Sequence, residues 1–236
     1  MLDVWGHIAG FIKTNNDKCR LMMTCTEISK CRFYFDEMIT IKKIAGSRWF
    51  NNFIDVLVPD KTSILPLNIQ YLTFGYNFNE NIDDYIPLTV THLTFGMFFN
   101  QPIKNCIPSS VTHLTFESYF DQCIENCIPS SVTHLNFDNK FNKPIENNIP
   151  SSVTHLKLGH EFKNFSKNSI PPTITHLRLC CCRNEIKYYL PLTLKEISFD
   201  TDLNEEDRTN IKNCIPSHFN VTYRKTFYQF KNKYIC

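Results

Sequence analysis

The chain has 236 residues, of which 42% are hydrophobic, enough to bury a core and an argument against disorder. Phe occurs 20 times against 6 Gly and only two Ala (Ala9 and Ala45), so the material of long helical bundles and nucleotide-binding α/β enzymes is scarce and a β-rich or repeat architecture is expected. A formal net charge of +2, from 25 basic and 23 acidic side chains, is too small to single out nucleic acid or an anionic membrane as partner.

The first sixteen residues carry Asp3, no basic stretch and no small-residue cleavage site, so the eleven Cys, an odd number, are expected to be reduced thiols in a cytoplasmic setting. No run approaches the roughly 18 apolar residues of a membrane span. Val4, Ile8, Phe11 and Ile12 fall on one helical face, and Leu21, Cys25 and Ile28 form a second stripe after Asp17, a suitable N-cap. Residues 1–45 therefore read as a small helical module. In the linker that follows, residues 46–64, Trp49-Phe50-Asn51-Asn52-Phe53 leads into Ile54, Val56 and Val58, whose alternation predicts an edge or capping strand.

From residue 65 to 204 the chain repeats itself. Ile-Pro recurs at Ile86-Pro87, Ile107-Pro108, Ile128-Pro129, Ile149-Pro150 and Ile170-Pro171, 21 residues apart each time, with Leu65-Pro66 upstream and Leu190-Pro191 downstream. Three apolar columns run through the units: Ile69, Val90, Val111, Val132, Val153 and Ile174; then Leu72, Leu93, Leu114, Leu135, Leu156 and Leu177; then, two residues on, Phe74, Phe95, Phe116, Phe137, Leu158 and Leu179. That final step of two is the alternation of a strand. Phe78, Phe99, Phe120, Phe141 and Phe162 follow, then a mostly Asn column, then Ile82, Ile103, Ile124 and Ile145. A 21-residue unit cannot bury such a face alone, but units stacked side by side give one parallel sheet over a continuous core. With neighbouring strands about 4.8 Å apart, eight units would span about 40 Å. Residues 205–236 read as a carboxy-terminal cap, in which Phe219, Val221 and Tyr223 alternate, and a basic tail with Arg224, Lys225, Lys231 and Lys233.

The spacing L-x-x-L-x-L resembles the leucine-rich repeat. Phe99-Asn100-Gln101-Pro102-Ile103 and Phe141-Asn142-Lys143-Pro144-Ile145, each after an Ile-Pro-x-x-Val-Thr-His-Leu segment, resemble more specifically the FNIP repeat. The segment from Leu2 to Ile28 resembles an F-box, and that domain order resembles proteins of amoebae and the giant viruses that infect them. The resemblance implies an α+β chain: a helical F-box-like module followed by a leucine-rich-repeat-like solenoid with one parallel β-sheet. It further implies a non-catalytic recognition subunit of a cullin–RING ubiquitin ligase. Leu2, Val4, Trp5, Ile8, Phe11, Leu21 and Met22 would contact a Skp1-like adaptor, and the repeats would hold a protein substrate, in the host cytoplasm if the chain is viral. No nucleic-acid or membrane partner is implied, and outside the ligase complex the chain reads as a monomer. In the alternative reading the amino-terminal helices only cap the solenoid of a stand-alone interaction or structural protein.

One column places His92, His113, His134, His155 and His176 on the outward face of successive strands, between Tyr71 and Glu196 at its ends. Side chains in line at strand spacing do not converge as the tetrahedral ligands of zinc must, so this ladder reads as structural and mainly neutral at pH 7. Partner selection belongs instead to outward columns whose chemistry changes along the face: Thr94, Thr115, Asn136, Lys157 and Arg178, then Gly96, Glu117, Asp138, Gly159 and Cys180. Lys157 and Arg178 read as a basic pair beside an acidic one, Glu117 and Asp138, and these four with Asn136 form the expected docking face. No G-x-S-x-G, H-E-x-x-H, phosphate-binding loop or paired C-x-x-C occurs, so neither catalysis nor a cofactor is expected. The run Cys180-Cys181-Cys182 reads as ordinary thiols on alternating faces rather than a metal site.

Overall fold

The computed structural model describes residues 14, 17, 38–47, 50–61, 64–167, 169–180, 186–200, 209, 211, 215–216 and 218–224. Ten strands lie side by side in chain order: β1 (Ile39–Thr40), β2 (Asp55–Val58), β3 (Tyr71–Phe74), β4 (His92–Phe95), β5 (His113–Phe116), β6 (His134–Phe137), β7 (His155–Leu158), β8 (His176–Leu179), β9 (Glu196–Asp200) and β10 (Asn220–Arg224). Every neighbouring pair is parallel, and the repeat units align residue for residue, His92 opposite His113 and Leu93 opposite Leu114. The described residues thus form a parallel β-solenoid of about eight turns.

Each strand begins as its sequence dictates. Pro fixes the approach, the Val90 N–H donates to the Pro87 carbonyl at 3.1 Å, and the N–H groups of Thr91 and His92 both donate to Gln70 O of the preceding unit at 2.9 and 3.0 Å. Along β4 to β8 half-buried and buried residues then alternate, so the strand's Leu and its Phe or Leu point into the core while His and the residue two beyond it face outward. Ten Phe side chains dominate the interior, each less than 2% accessible. Phe74, Phe95, Phe116 and Phe137 stack between units at 5.0–5.4 Å, and within a unit Phe116 lies 4.0 Å from Phe120. Burial of each contributes about 1.5–3 kcal/mol, before chain entropy is subtracted.

Polar columns close the units onto one another. The carbonyl oxygen of the Asn100 side chain accepts from the Asp121 N–H at 2.9 Å, the Asp121 carboxylate accepts from Asn142 N at 2.9 Å, and Asn142 in turn accepts from Lys163 N at 2.8 Å. Ser110, Ser131 and Ser152 donate their hydroxyls to Val90, Val111 and Val132 carbonyls at 2.7 Å. Before Ile86, Ile107, Ile128 and Ile149 the chain reverses in a turn whose third residue is left-handed: Asp84, Asn105, Asn126 and Asn147, with φ between 53 and 60°. Asn and Asp tolerate this region better than other side chains, which explains their recurrence there.

The sheet extends beyond the expected limits at its amino-terminal end. The segment ending at Val58 is not an edge: β2 pairs with β3 on one side and with β1 on the other, Ile39 opposite Val56 and Thr40 opposite Leu57. Residues assigned to the helical module by their position thus belong to the solenoid, where Ile41 and Ile44 are buried, because the first unit's core needs apolar cover. Helix among the described residues amounts to the 3₁₀ segments Ile41–Lys43, Phe50–Asn52 and Ile186–Tyr188 and the single positions Asp17, Thr209 and Ile211. The helices expected over residues 2–28, with all seven F-box-like contact residues, lie outside the described residues apart from Thr14 and Asp17, and so do Cys181, Cys182 and Arg183. No described helix is long and apolar enough to cross a membrane.

Candidate recognition groove

The outward column of imidazoles forms a continuous stack. Ring centroids of His92, His113, His134, His155 and His176 succeed one another at 4.1–4.2 Å with interplanar angles of 4–14°, and Tyr71 covers His92 at 4.4 Å. The preceding Thr holds each ring, with Oγ1 to Nδ1 distances of 2.9–3.0 Å from Thr91–His92 through Thr175–His176. Each of these Thr hydroxyls also lies 3.2–3.4 Å from a main-chain carbonyl of the unit before. With a proton on Nδ1, imidazole donates to the hydroxyl and the hydroxyl to the carbonyl, so one neutral tautomer satisfies both contacts. Burial and then the neighbouring imidazoles depress His113, which falls from 6.5 to about 4. His92 and His134 are lowered for the same reasons. Face-to-face stacking sets the ring nitrogens side by side, and among the described residues no three His, Cys, Asp or Glu side chains gather as a metal site would require.

Across β5 to β9 the same face is hollowed into a groove of about 580 Å³, with His134, His155 and His176 along it. All five residues expected to form the docking face, Glu117, Asn136, Asp138, Lys157 and Arg178, line it. Their pairing differs from the expected separation into a basic and an acidic couple. Lys157 Nζ lies 2.9 Å from Asp138 Oδ1, with the two side chains only 20% and 27% accessible, because the residue two beyond His on one strand reaches the residue four beyond His on the strand before. Asn136 Nδ2 donates to Thr115 Oγ1 at 3.1 Å. Burial raises the Glu117 carboxyl above its usual range, the Asp138 charge adds to the rise, and Lys157 partly opposes it.

Among the polar lining residues, Thr115 stands in the variable column but outside the five expected to form the docking face, and Glu196 and Ser198 were not expected there. Glu196 was visible only as the end of the His column, and the signal for its second role was that it places a carboxylate where the five units before it have an imidazole. It accepts the Thr222 hydroxyl at 2.8 Å, so β10 helps to fix the far end of the groove.

A solenoid with uniform ladders inside and one variable polar groove outside defines a repeat scaffold built for interaction. The family model for the FNIP repeat matches residues 61–98, 99–140 and 141–182, and the last two matches each span two 21-residue units. The chain belongs to the FNIP repeat family. Neither a search of curated proteins nor one of solved structures gave a match.

Proposed function

We propose that the chain is the non-catalytic substrate-recognition subunit of a cullin–RING ubiquitin ligase, its amino-terminal segment engaging a Skp1-like adaptor and its solenoid holding a target protein. The observation that carries the recognition half is the gathering of Glu117, Asn136, Asp138, Lys157 and Arg178, all from variable columns, in one groove. Columns that build the core or the ladders are nearly invariant, so a surface able to discriminate must come from the others. The adaptor half rests on the F-box-like order of Leu2, Val4, Trp5, Ile8, Phe11, Leu21 and Met22.

The test is binding of the full chain to purified Skp1, beside the double variant Val4→Asp/Ile8→Asp. Saturable binding abolished in the variant, with the far-ultraviolet spectrum of the sheet retained, is the expected result. An intact, folded chain that ignores Skp1 refutes the adaptor role. The alternative of a helical cap on a stand-alone interaction protein would then account for the chain, and the burial of Ile41, Ile44 and Phe53 against the first units favours that reading in this outcome.

A further inference from the structure

We propose that the groove receives an extended protein segment carrying a Lys or Arg whose cation seats against Glu117. This rests on the protein-recognition reading above and adds the chemistry of the partner.

The charged groups of the groove are nearly all engaged within the chain. Asp138 and Lys157 hold each other, Glu196 takes the Thr222 hydroxyl, and Arg178 also has a contact inside the protein. Glu117 is different: among the described residues its carboxylate has no hydrogen-bond or ion-pair partner, and Lys157, the cation that acts on it, is bonded to Asp138. A half-buried carboxylate without a partner is unfavourable, and its neighbour Asp138 makes it more so. An arriving ammonium or guanidinium removes both penalties at once, whereas an arriving carboxylate or phosphate meets two acids on this wall.

The surroundings leave room for such a side chain. Glu117 and Asp138 stand between Gly96 and Gly159 in their column, and a Cβ on either glycine would collide with backbone, the Gly75 carbonyl in one case and the Asp138 carbonyl in the other. No side chain from that column can therefore flank the two acids. Two residues past Glu117 in the unit an aromatic row begins: the Phe98 and Tyr119 rings lie 4.8 Å apart and are 38% and 42% accessible, and Tyr76 meets Phe98 edge-on at 5.1 Å. Exposed rings two residues along the chain from an unpaired carboxylate offer a surface suited to the aliphatic stem of Lys or the flat guanidinium of Arg. Five strands at about 4.8 Å spacing give the groove a span of about 19 Å, matching about six residues of extended chain.

The experiment is an array of ten-residue Gly/Ser/Thr peptides with a single central Arg, Lys, Gln or Glu and randomised neighbours, probed with the full-length chain. The best binders are then measured in solution against wild type and Glu117→Gln. Enrichment of Arg and Lys, with a loss of at least tenfold in Glu117→Gln, is the expected result. That variant keeps the shape of the side chain and removes only an unpaired charge, so its melting temperature should be unchanged or raised, which separates lost recognition from lost folding. Enrichment of Glu overturns the proposal. Peptides that bind indifferently to Glu117→Gln but are released by Arg178→Ala refute the cation seat while leaving the groove as a recognition surface, and an array with no bound peptide refutes both.

Discussion

Acidification should unfold this protein through its imidazole ladder, and the sign follows from the depressed pKa values. A His whose folded pKa lies below its unfolded value binds fewer protons in the native state, so its stabilising contribution is complete above about 6.5 and is lost as pH falls toward the folded pKa. For His113 that window runs from 6.5 down to about 4, and His92 and His134 are displaced in the same direction. A displacement of this size on a fully desolvated ring would correspond to about 3 kcal/mol. The rings are only partly withdrawn from water, so about half of that, ~1.5 kcal/mol, is the reasonable share for His113. Glu117 works the other way, because a carboxyl with a raised folded pKa favours the native state on acidification. Glu161, held low by the Lys140 hydrogen bond, loses its contribution only below the usual carboxylate range. Urea midpoints taken at half-unit steps from pH 7.5 to 4.5 should therefore fall steadily below about 6.5, and His113→Gln should flatten the slope. A midpoint independent of pH through this window, or ladder resonances titrating independently near 6.5, would refute the reasoning.

Other substitutions probe the interior. Phe116→Ala removes a ring buried to 0% between Phe95 and Phe137, and equilibrium unfolding should show a loss of about 3–5 kcal/mol. Asn100→Ala strips the acceptor from the Asp121 N–H and should cost about 1–3 kcal/mol, with faster hydrogen exchange confined to the two units it joins. Gly96→Ala should lower the melting temperature, since its Cβ would press on the Gly75 carbonyl and backbone rather than a movable side chain must yield; about 1–3 kcal/mol is expected. Asn126→Val, which forces a β-branched residue to φ 53°, should destabilise by about 1–2 kcal/mol, while Asn126→Gly should be close to neutral.

The strands were legible because the 21-residue spacing superposes columns, and a step of two between Leu93 and Phe95 can only alternate in and out along an extended chain. The same superposition pointed to Glu117, Asn136, Asp138, Lys157 and Arg178 as the variable outward set that the groove brings together. What spacing cannot express is reach across units. Lys157 and Asp138 belong to different columns, and only the offset of side chains on adjacent strands joins them. Strand β1 was illegible because two residues, Ile39 and Thr40, are too few for any period, and its pairing is imposed by the open side of β2. The left-handed turn was present as the column Asp84, Asn105, Asn126, Asn147, a signal of backbone conformation in positions that otherwise read as loop.

The division between ladder and groove has a physical consequence for how this scaffold can change partners. The stacked Phe rings, the Asn100 and Asn142 side chains and the Ser110, Ser131 and Ser152 hydroxyls are satisfied by the unit beside them, so these stabilising contacts are nearest-neighbour and require only that register be kept. The side chains four beyond each His do not set that register: Glu117 and Asp138 occupy the position that Gly96 and Gly159 hold in neighbouring units, and the inter-unit bonds there are made by the backbone, the Glu117 and Asp138 N–H groups donating to the Phe95 and Phe116 carbonyls at 3.2 and 3.1 Å. The charges on Glu117 and Asp138 can therefore be rewritten without touching the core columns, whereas Gly96 and Gly159 accept no Cβ unless backbone moves. The imidazoles are less free, because each ring is stacked on its neighbours as well as held by its own Thr, and replacing one interrupts the stack for the rings on both sides. Specificity can thus evolve from unit to unit at the wall of the groove while its imidazole floor stays uniform, and the binding information lies in the wall.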